Sequence, residues 1–538
     1  MIAALPTLTL ARQPAGKTVR AHQATPVLRL AMPDASPTVD PALVADEQDV
    51  ELANMLYAGL VRLNSSYKVV PGAAWRWTLS HNHRTYTFYL RRGMHFSNGD
   101  PLTAYSFAYS IRRSLNPSVK SPSAPTYLLD IEGAAPYLAG KAKSLTGVRV
   151  LDRYRMQITA RWPVPYFLME LTYPTSFALD KNRLTKVGMT STSWYGSPIS
   201  SGPYELKSWD PNVGLQLVPN KRFWGKRARQ DVSITLTGLP TNSLLQYVHS
   251  QLDVASLPDV ESSYLKSSGM HDVTMLAING IYMNMLHKPF DNVQVRRALT
   301  LSLDRPKLVK ASLGDSASPF VGYVPPGEAG YDKHVKPLPS NPSAARKALV
   351  AAGYGSRKHL PALTLYYASD PGSPTTGQPI ASLAGAVAAS WRKNLHVKAT
   401  ARALTLNTLF AKVQANSLPL YLLGWSANYP DPHDWLSGQW RSDSVNNSVH
   451  FSNANFDKLV ASADATWRWK RRNRLDDRAQ QLLINQAAWI PLYIPHQLVY
   501  IRPSVADLAA TGYGLIPRDG AWTRVSIKST MGQPSKGS

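Results

Sequence analysis

The sequence predicts a mixed α/β protein built from several lobes, and three observations carry that prediction. The chain has 538 residues. At about 150 residues per domain, that length predicts roughly three to four domains or lobes. Its composition, 44% hydrophobic with 9% aromatic residues, is ordinary for a globular protein and excludes disorder over most of the chain. Strand-like and helix-like patterns alternate repeatedly along it, with no internal repeat.

Met1 to Leu10 is apolar but lacks a preceding basic stretch. It reads either as the remnant of a secretory signal, with Ala11 and Ala15 as small residues for cleavage, or as an unstructured leader. Residues 11–25 are polar and contain Gly and Pro, as a linker does. Thr85-Tyr86-Thr87-Phe88-Tyr89-Leu90 is rich in β-branched and aromatic residues and predicts a strand after the polar turn His81-Asn82-His83. Arg91-Arg92-Gly93 and Ser97-Asn98-Gly99-Asp100-Pro101 supply further turns.

Thr103 is a suitable helix cap, and Ala104, Phe107, Ala108, Ile111 and Leu115 recur on one helical face before Asn116-Pro117 ends it. A second helix starts near Asp291-Asn292, with Val295, Ala298, Leu299 and Ser302 on one face, and Asp304 caps a further turn containing Pro306. Residues 316–342 and 369–379 are rich in Pro, Gly and Ser and read as loops. Leu475, Ala479, Leu482, Leu483 and Gln486 form one helical stripe, and Trp489-Ile490-Pro491-Leu492-Tyr493-Ile494 reads as a strand re-entering a core.

Lys and Arg number 59 and Asp and Glu 34, a net charge of +25. Such a surface is drawn to anions. Its longest basic cluster, Lys470-Arg471-Arg472-Asn473-Arg474, opens a helical pattern and reads as a solvated helix face rather than a nucleic-acid patch. No recognised nucleic-acid module is present. The chain has no cysteine, which excludes disulfides, thiol catalysis, zinc–thiolate sites and a lipid-modified cysteine. No apolar run reaches the roughly 18 residues that a membrane-spanning helix needs.

Enzyme signatures are absent: there is no GxSxG elbow, no HExxH, no P-loop and no GxGxxG following a strand. No catalytic residue, cofactor or metal site is therefore predicted. Asp431, His433 and Asp434 have a spacing that suits a metal or an acid–base pair, but in a Pro-rich loop they read as surface residues.

Longer motifs are more specific. Ala58-Gly59-Leu60-Val61-Arg62 and Val70-Pro71-Gly72-Ala73-Ala74-Trp75 precede Tyr86-Thr87-Phe88-Tyr89-Leu90-Arg91-Arg92-Gly93 and Phe96-Ser97-Asn98-Gly99-Asp100-Pro101-Leu102-Thr103-Ala104. Ile199 to Tyr204, Asn220 to Trp224, Pro289 to Leu299 with Leu303-Asp304-Arg305, and Gly424 to Pro432 follow in order. Together these resemble the family-5 extracytoplasmic solute-binding proteins of ABC importers, the oligopeptide- and dipeptide-binding type, from about Leu28 to Ile501. Most of the matched residues shape turns and cores, so they speak for the fold rather than for ligand contact.

The resemblance implies a bilobal, periplasmic-binding-protein-like α/β fold (type II, cluster C) with an extra domain and hinge closure over a central cleft. It implies a leader and linker at 1–25, a discontinuous domain I (26–58, 197–278, 487–530), domain II at 59–196, domain III at 279–486 and a tail at 531–538. It further implies a monomer outside the cytoplasm that captures a peptide and hands it to the permease subunits of an ABC importer. A metal chelate of the nickel or haem type, or an oligosaccharide, is the alternative ligand on the same fold; a polyanion binder or a hydrolase is a more distant one.

By the same resemblance the ligand-binding residues are Gly424, Trp425, Ser426, Ala427, Asn428, Tyr429 and Asp431, with Tyr127 and Glu47 from elsewhere in the chain. Relatives carry an acid for the peptide ammonium where this chain has Asn428, which accepts a hydrogen bond but has no charge. Losing one partner of a buried charge pair costs about 2–5 kcal/mol. Either the ligand has no free ammonium there, or another acid compensates: Asp431, Asp434, Glu47 or Asp49.

Overall fold

The computed structural model describes residues 25–32, 37–237, 240–258, 269–355, 358–369 and 378–528. The leader expected at 1–25, all but its last residue, and the tail at 531–538 lie outside them, as does most of the loop expected at 369–379. Among the described residues no helix is long and apolar enough to cross a membrane.

Three sheets organise the chain. The first runs, in spatial order, Val27–Met32, Asp231–Leu236, Gly214–Pro219, Tyr204–Asp210. Its first pair is parallel and the others are antiparallel. The second is antiparallel: Ala74–Leu79, Thr85–Leu90, Arg155–Thr159, Val148–Asp152. In Thr85–Leu90 the alternate residues Tyr86, Phe88 and Leu90 are buried, the period of two expected of a half-covered strand.

The third sheet follows the path Val254–Pro258, Trp489–Ile501, Ala277–Met283, Leu420–Ser426, Leu363–Ala368, Ala399–Leu404. Trp489–Ile501 extends the predicted strand to 13 residues. Its early residues pair with Ala277–Met283, as in Ile490 opposite Ile281. Its late residues pair with Val254–Pro258, as in Ile501 opposite Val254. One continuous strand thus belongs to two packing environments.

The predicted helices form where their caps and periodicity place them. Ala104–Ser114 buries Ala104, Phe107, Ala108 and Ile111. Val293–Leu301 is capped by Asn292, which accepts from the Gln294 N–H at 2.8 Å. Arg305–Leu313 starts at Asp304, with Pro306 in its first turn.

Two expectations are corrected. Helix Trp469–Asn485 buries Arg472, Asp476, Ala479, Gln480, Leu483 and Ile484, whereas Leu475, Leu482 and Gln486 are only half-buried. The inward stripe is therefore rotated, and Arg472 leaves the solvated face assigned to residues 470–474. The reason is an ion pair with buried Asp431 that hydrophobic periodicity cannot register.

The cores follow the sheets. One gathers Leu60 to Ala178 around the second sheet and also takes in Tyr429, far away in the sequence. Another combines residues from 28–57, 177–234, 254–273 and 499–525. Arg113 ties these two bodies together through a buried two-pronged ion pair with Asp40, at 2.6 and 2.7 Å.

Candidate ligand-binding cleft

The end of strand Leu420–Ser426 delivers the candidate segment. Ile278 lies opposite Trp425 and Asn279 opposite Gly424. A Cβ on Gly424 would lie 2.5 Å from Asn279 Oδ1, so a larger residue there would have to displace the Asn279 side chain. Beyond the strand, the Ala427 N–H donates to Leu276 O at 2.9 Å. Asp431 then caps the short helix Pro432–Trp435 by accepting from the His433 N–H at 2.9 Å.

Asp434 folds back under this segment. Its carboxylate accepts from the Asn428 N–H at 2.8 Å, from Asn428 Nδ2 at 2.7 Å and from Trp425 Nε1 at 3.2 Å. Burial pushes its pKa up to about 6, while these donors hold it down. Asp431 is engaged by the Arg472 guanidinium. Asp431 and Asp434 are both buried, which corrects their reading as surface residues. Both are occupied by fixed partners rather than left over for a ligand.

A second wall comes from the region around the second sheet. Tyr127, in helix Ala124–Leu128, donates its hydroxyl to Asn428 O at 3.0 Å. Its ring lies flat on Tyr173, centroids 3.6 Å apart. Tyr166 stacks on His433 at 4.0 Å and on Tyr429 at 5.7 Å. His433 Nδ1 meets Asp464 at 2.8 Å. Burial pulls the imidazole pKa down, but the Asp464 charge and hydrogen bond outweigh it and hold it above the ordinary range.

The third wall is helix Glu47–Leu56 against the turn between Leu508–Thr511 and Gly514–Pro517. Glu51 accepts from the Leu515 N–H at 2.7 Å. Glu47 presses on Gly514, where φ is +89° and a Cβ would overlap the carboxylate. Glu47 is exposed by surface area. Yet the surrounding protein, with Asp46 adding to it, pushes its carboxyl up to about 7. That combination suits a side chain lining an enclosed, wet space. Glu51, deeper in the same wall, is raised well above the usual range by burial and then by Glu47. Asp49 accepts from the Thr38 N–H at 2.8 Å and braces its own segment.

The walls converge on Tyr513. Burial raises its pKa, and Tyr127, Asp434, Glu328 and Tyr173 add to the shift through their charges. Tyr513 OH and Glu328 Oε2 are buried without a hydrogen-bond partner. The other Glu328 oxygen accepts from Trp435 Nε1 at 3.3 Å. Among the described residues, no Lys or Arg hydrogen-bonds to Glu47, Glu51, Glu328 or Asp434. A cluster of acids and tyrosines thus gathers around Tyr513 in a chain of net charge +25.

The structure brings Tyr127 onto Asn428, leaves Gly424, Trp425 and Ala427 half-buried and Ser426 exposed, and buries Tyr429 and Asp431. Sequence reasoning missed Glu51, Glu328 and Tyr513. Two of them left a signal. Glu51 repeats Glu47 four residues on, a like-charge spacing that weakens an isolated helix. Gly512-Tyr513-Gly514 frames an aromatic with two turn-forming residues.

Residues 68–447 match the family model "Bacterial extracellular solute-binding proteins, family 5 Middle". The chain is 28% identical to the probable deoxycholate-binding periplasmic protein YgiS of Escherichia coli, covering 87% of this chain and 88% of YgiS. It is 29% identical to the periplasmic oligopeptide-binding protein OppA of Salmonella typhimurium, covering 87% of each. The structure of Haemophilus influenzae OppA in complex with the peptide RPPGFSPFR superposes with a TM-score of 0.76 at 25% identity, covering 94% of this chain and 100% of that one.

Proposed function

Because the chain belongs to the family 5 bacterial extracellular solute-binding proteins, we propose that it captures short peptides in the cleft between Tyr127, Asn428 and Glu47 and delivers them to an ABC importer. The family is one of extracytoplasmic binding proteins that adopt the bilobal fold. Among named relatives, the oligopeptide-binding OppA supports a peptide as cargo. Neither catalysis nor oligomerisation is part of this reading.

The supporting partition makes residues 26–58, 197–278 and 487–530 one domain, 59–196 a second and 279–486 a third. On that partition the Tyr127–Asn428 hydrogen bond crosses between the second and third domains, and Glu47 reaches in from the first. Ligand contacts to both sides favour the closed form, and closure follows from that difference in affinity. The backbone of an extended peptide satisfies the polar groups of the walls, while hydrated space takes varied side chains.

The observation carrying the ligand class is a set of acids with no cation partner among the described residues: burial raises each pKa, and a cationic ligand is what would favour their ionised form. Asn428 offers no charge to an ammonium, and Asp434 beneath it is already bonded three times. Glu47 is the acid exposed by surface area, with Glu51 and Glu328 behind it. Peptides bearing Lys or Arg, or an amine placed toward Glu47, fit best. A bile-acid carboxylate, the cargo that the name of YgiS suggests, would meet four acids and no paired cation.

Native mass spectrometry of the purified protein, with denaturing release of its cargo, tests the reading. Short peptides enriched in basic residues would support it. A single non-peptide solute, or tighter binding of deoxycholate than of any basic peptide by calorimetry, would overturn it.

A further inference from the structure

A second cavity, of about 270 Å³, shares no lining residue with the cleft. It lies where the hairpin Val61–Leu63/Val69–Pro71, the segment 223–226 and the segment 519–524 meet. Its walls carry Arg62, Arg91, Lys226 and Arg524 against a single acid, Asp519. Like charges so gathered repel one another unless something neutralises them.

The available protein partners do not. Asp519 is taken by Arg524, Nε to Oδ2 at 3.2 Å, on the exposed rim. Arg91 gives its Nε to Gly72 O at 3.0 Å, a neutral acceptor. Arg62 Nε is buried with no hydrogen-bond partner among the described residues. A guanidinium does not escape such a site by losing its proton, so an unmet buried donor there is a standing cost. Burial depresses the Arg62 pKa, Asp519 opposes this, and Arg91 and Arg524 depress it further.

The remaining wall is aromatic. Phe223 and Trp224 pack at 4.3 Å, and buried Phe177 and Trp522 close the floor. Several forked guanidiniums lining one partly dry hollow suit a planar or tetrahedral oxyanion, which accepts several N–H bonds at once.

We propose that this cavity binds a small oxyanion ligand, a carboxylate or phosphate group held between Arg62, Arg91 and Arg524. The bound anion joins the 61–71 hairpin to the 519–524 segment. This site goes beyond the peptide reading of the cleft and does not depend on it.

The test uses the full chain and thermal unfolding, with inorganic phosphate and benzoate titrated against sodium chloride at matched ionic strength. Matching removes the general screening expected of a strongly basic protein. The variants are Arg62→Gln, Arg524→Gln and, as a distant control, the exposed Arg471→Gln. Saturable stabilisation by either probe in the wild type and Arg471→Gln, weakened roughly tenfold or more in Arg62→Gln, supports the site. Which probe acts distinguishes phosphate from carboxylate ligands. If Arg62→Gln does not fold, Arg524→Gln on the rim carries the same comparison. Shifts no larger than those in chloride, or equal shifts in wild type and site variants, overturn it.

Discussion

Two buried polar regions lie side by side in this molecule and handle charge in opposite ways. In the seam around Tyr166, three carboxylates meet cations, Asp431 with Arg472, Asp464 with His433 and Asp130 with Arg161, while Glu170 Oε2 and Asp476 Oδ2 are buried with no hydrogen-bond partner among the described residues. Around Tyr513, no Lys or Arg among the described residues hydrogen-bonds to Glu47, Glu51 or Glu328, and Tyr513 OH and Glu328 Oε2 have no hydrogen-bond partner among them. A buried charge without a partner is costly, and proteins satisfy the great majority of such groups. The seam, held by these three ion pairs, therefore reads mainly as scaffold. The cluster around Tyr513 reads as a surface that a ligand completes.

Breaking the seam should have the largest effect. Arg472→Met leaves Asp431 buried and unpaired, and about 3–5 kcal/mol of stability should be lost in urea unfolding. Arg472→Met with Asp431→Asn should recover much of that. A single-variant loss below about 1 kcal/mol would mean that the pair is not structural and that the contrast fails.

Adding a charge near that cluster sharpens the comparison next. Asn428→Asp places an acid where the family resemblance implies one, but beside Asp434. Affinity for free-amine peptides relative to N-acetylated ones should rise about tenfold at pH 8, read by calorimetry, if the amine sits at that position. An unchanged ratio would locate the amine elsewhere, toward Glu47.

The pH dependence follows from Glu47, whose carboxyl is pushed up to about 7 by burial. The folded chain holds this proton at pH values where the unfolded chain has released it. Its contribution to ligand-free stability is thus fully present below the ordinary carboxylate range and declines as pH rises through about 7. Affinity for a cationic peptide runs the other way and should increase severalfold from pH 6 to pH 8 as the carboxylate ionises. Glu47→Gln should flatten that rise; an unaltered slope would exclude Glu47 as the partner of the ligand's charge.

The smallest effect belongs to the closing contact. Tyr127→Phe removes the hydroxyl bonded to Asn428 O at 3.0 Å. It should weaken ligand binding by about 0.5–1.5 kcal/mol. No change would mean that this bond does not help hold the ligand-bound form.

The elements legible from sequence were those decided by local rules. Thr85–Leu90 alternates, Asn292 and Asp304 cap their helices, and the apolar run from Trp489 continues as a buried strand. The candidate segment and Tyr127 came from long motif resemblance, and the fold brings the two together. Arg472 was misjudged because a basic residue in a basic run looks solvated; its burial depends on an acid 41 positions away. Asp431 and Asp434 were misjudged because proline-rich loops are ordinarily exposed.

The sequence by itself determined the α/β class, the main caps and strands and the family, because each depends on residue type at short spacing or on a long ordered motif. Only the tertiary structure decided that Asp434 is consumed under Asn428, that Glu328, Asp434 and Tyr127 gather around Tyr513, and that Arg62, Arg91 and Arg524 share one cavity. Those facts rest on distances between residues hundreds of positions apart. Burial then sets whether a charge is cheap or costly, and burial is a property of the packed chain.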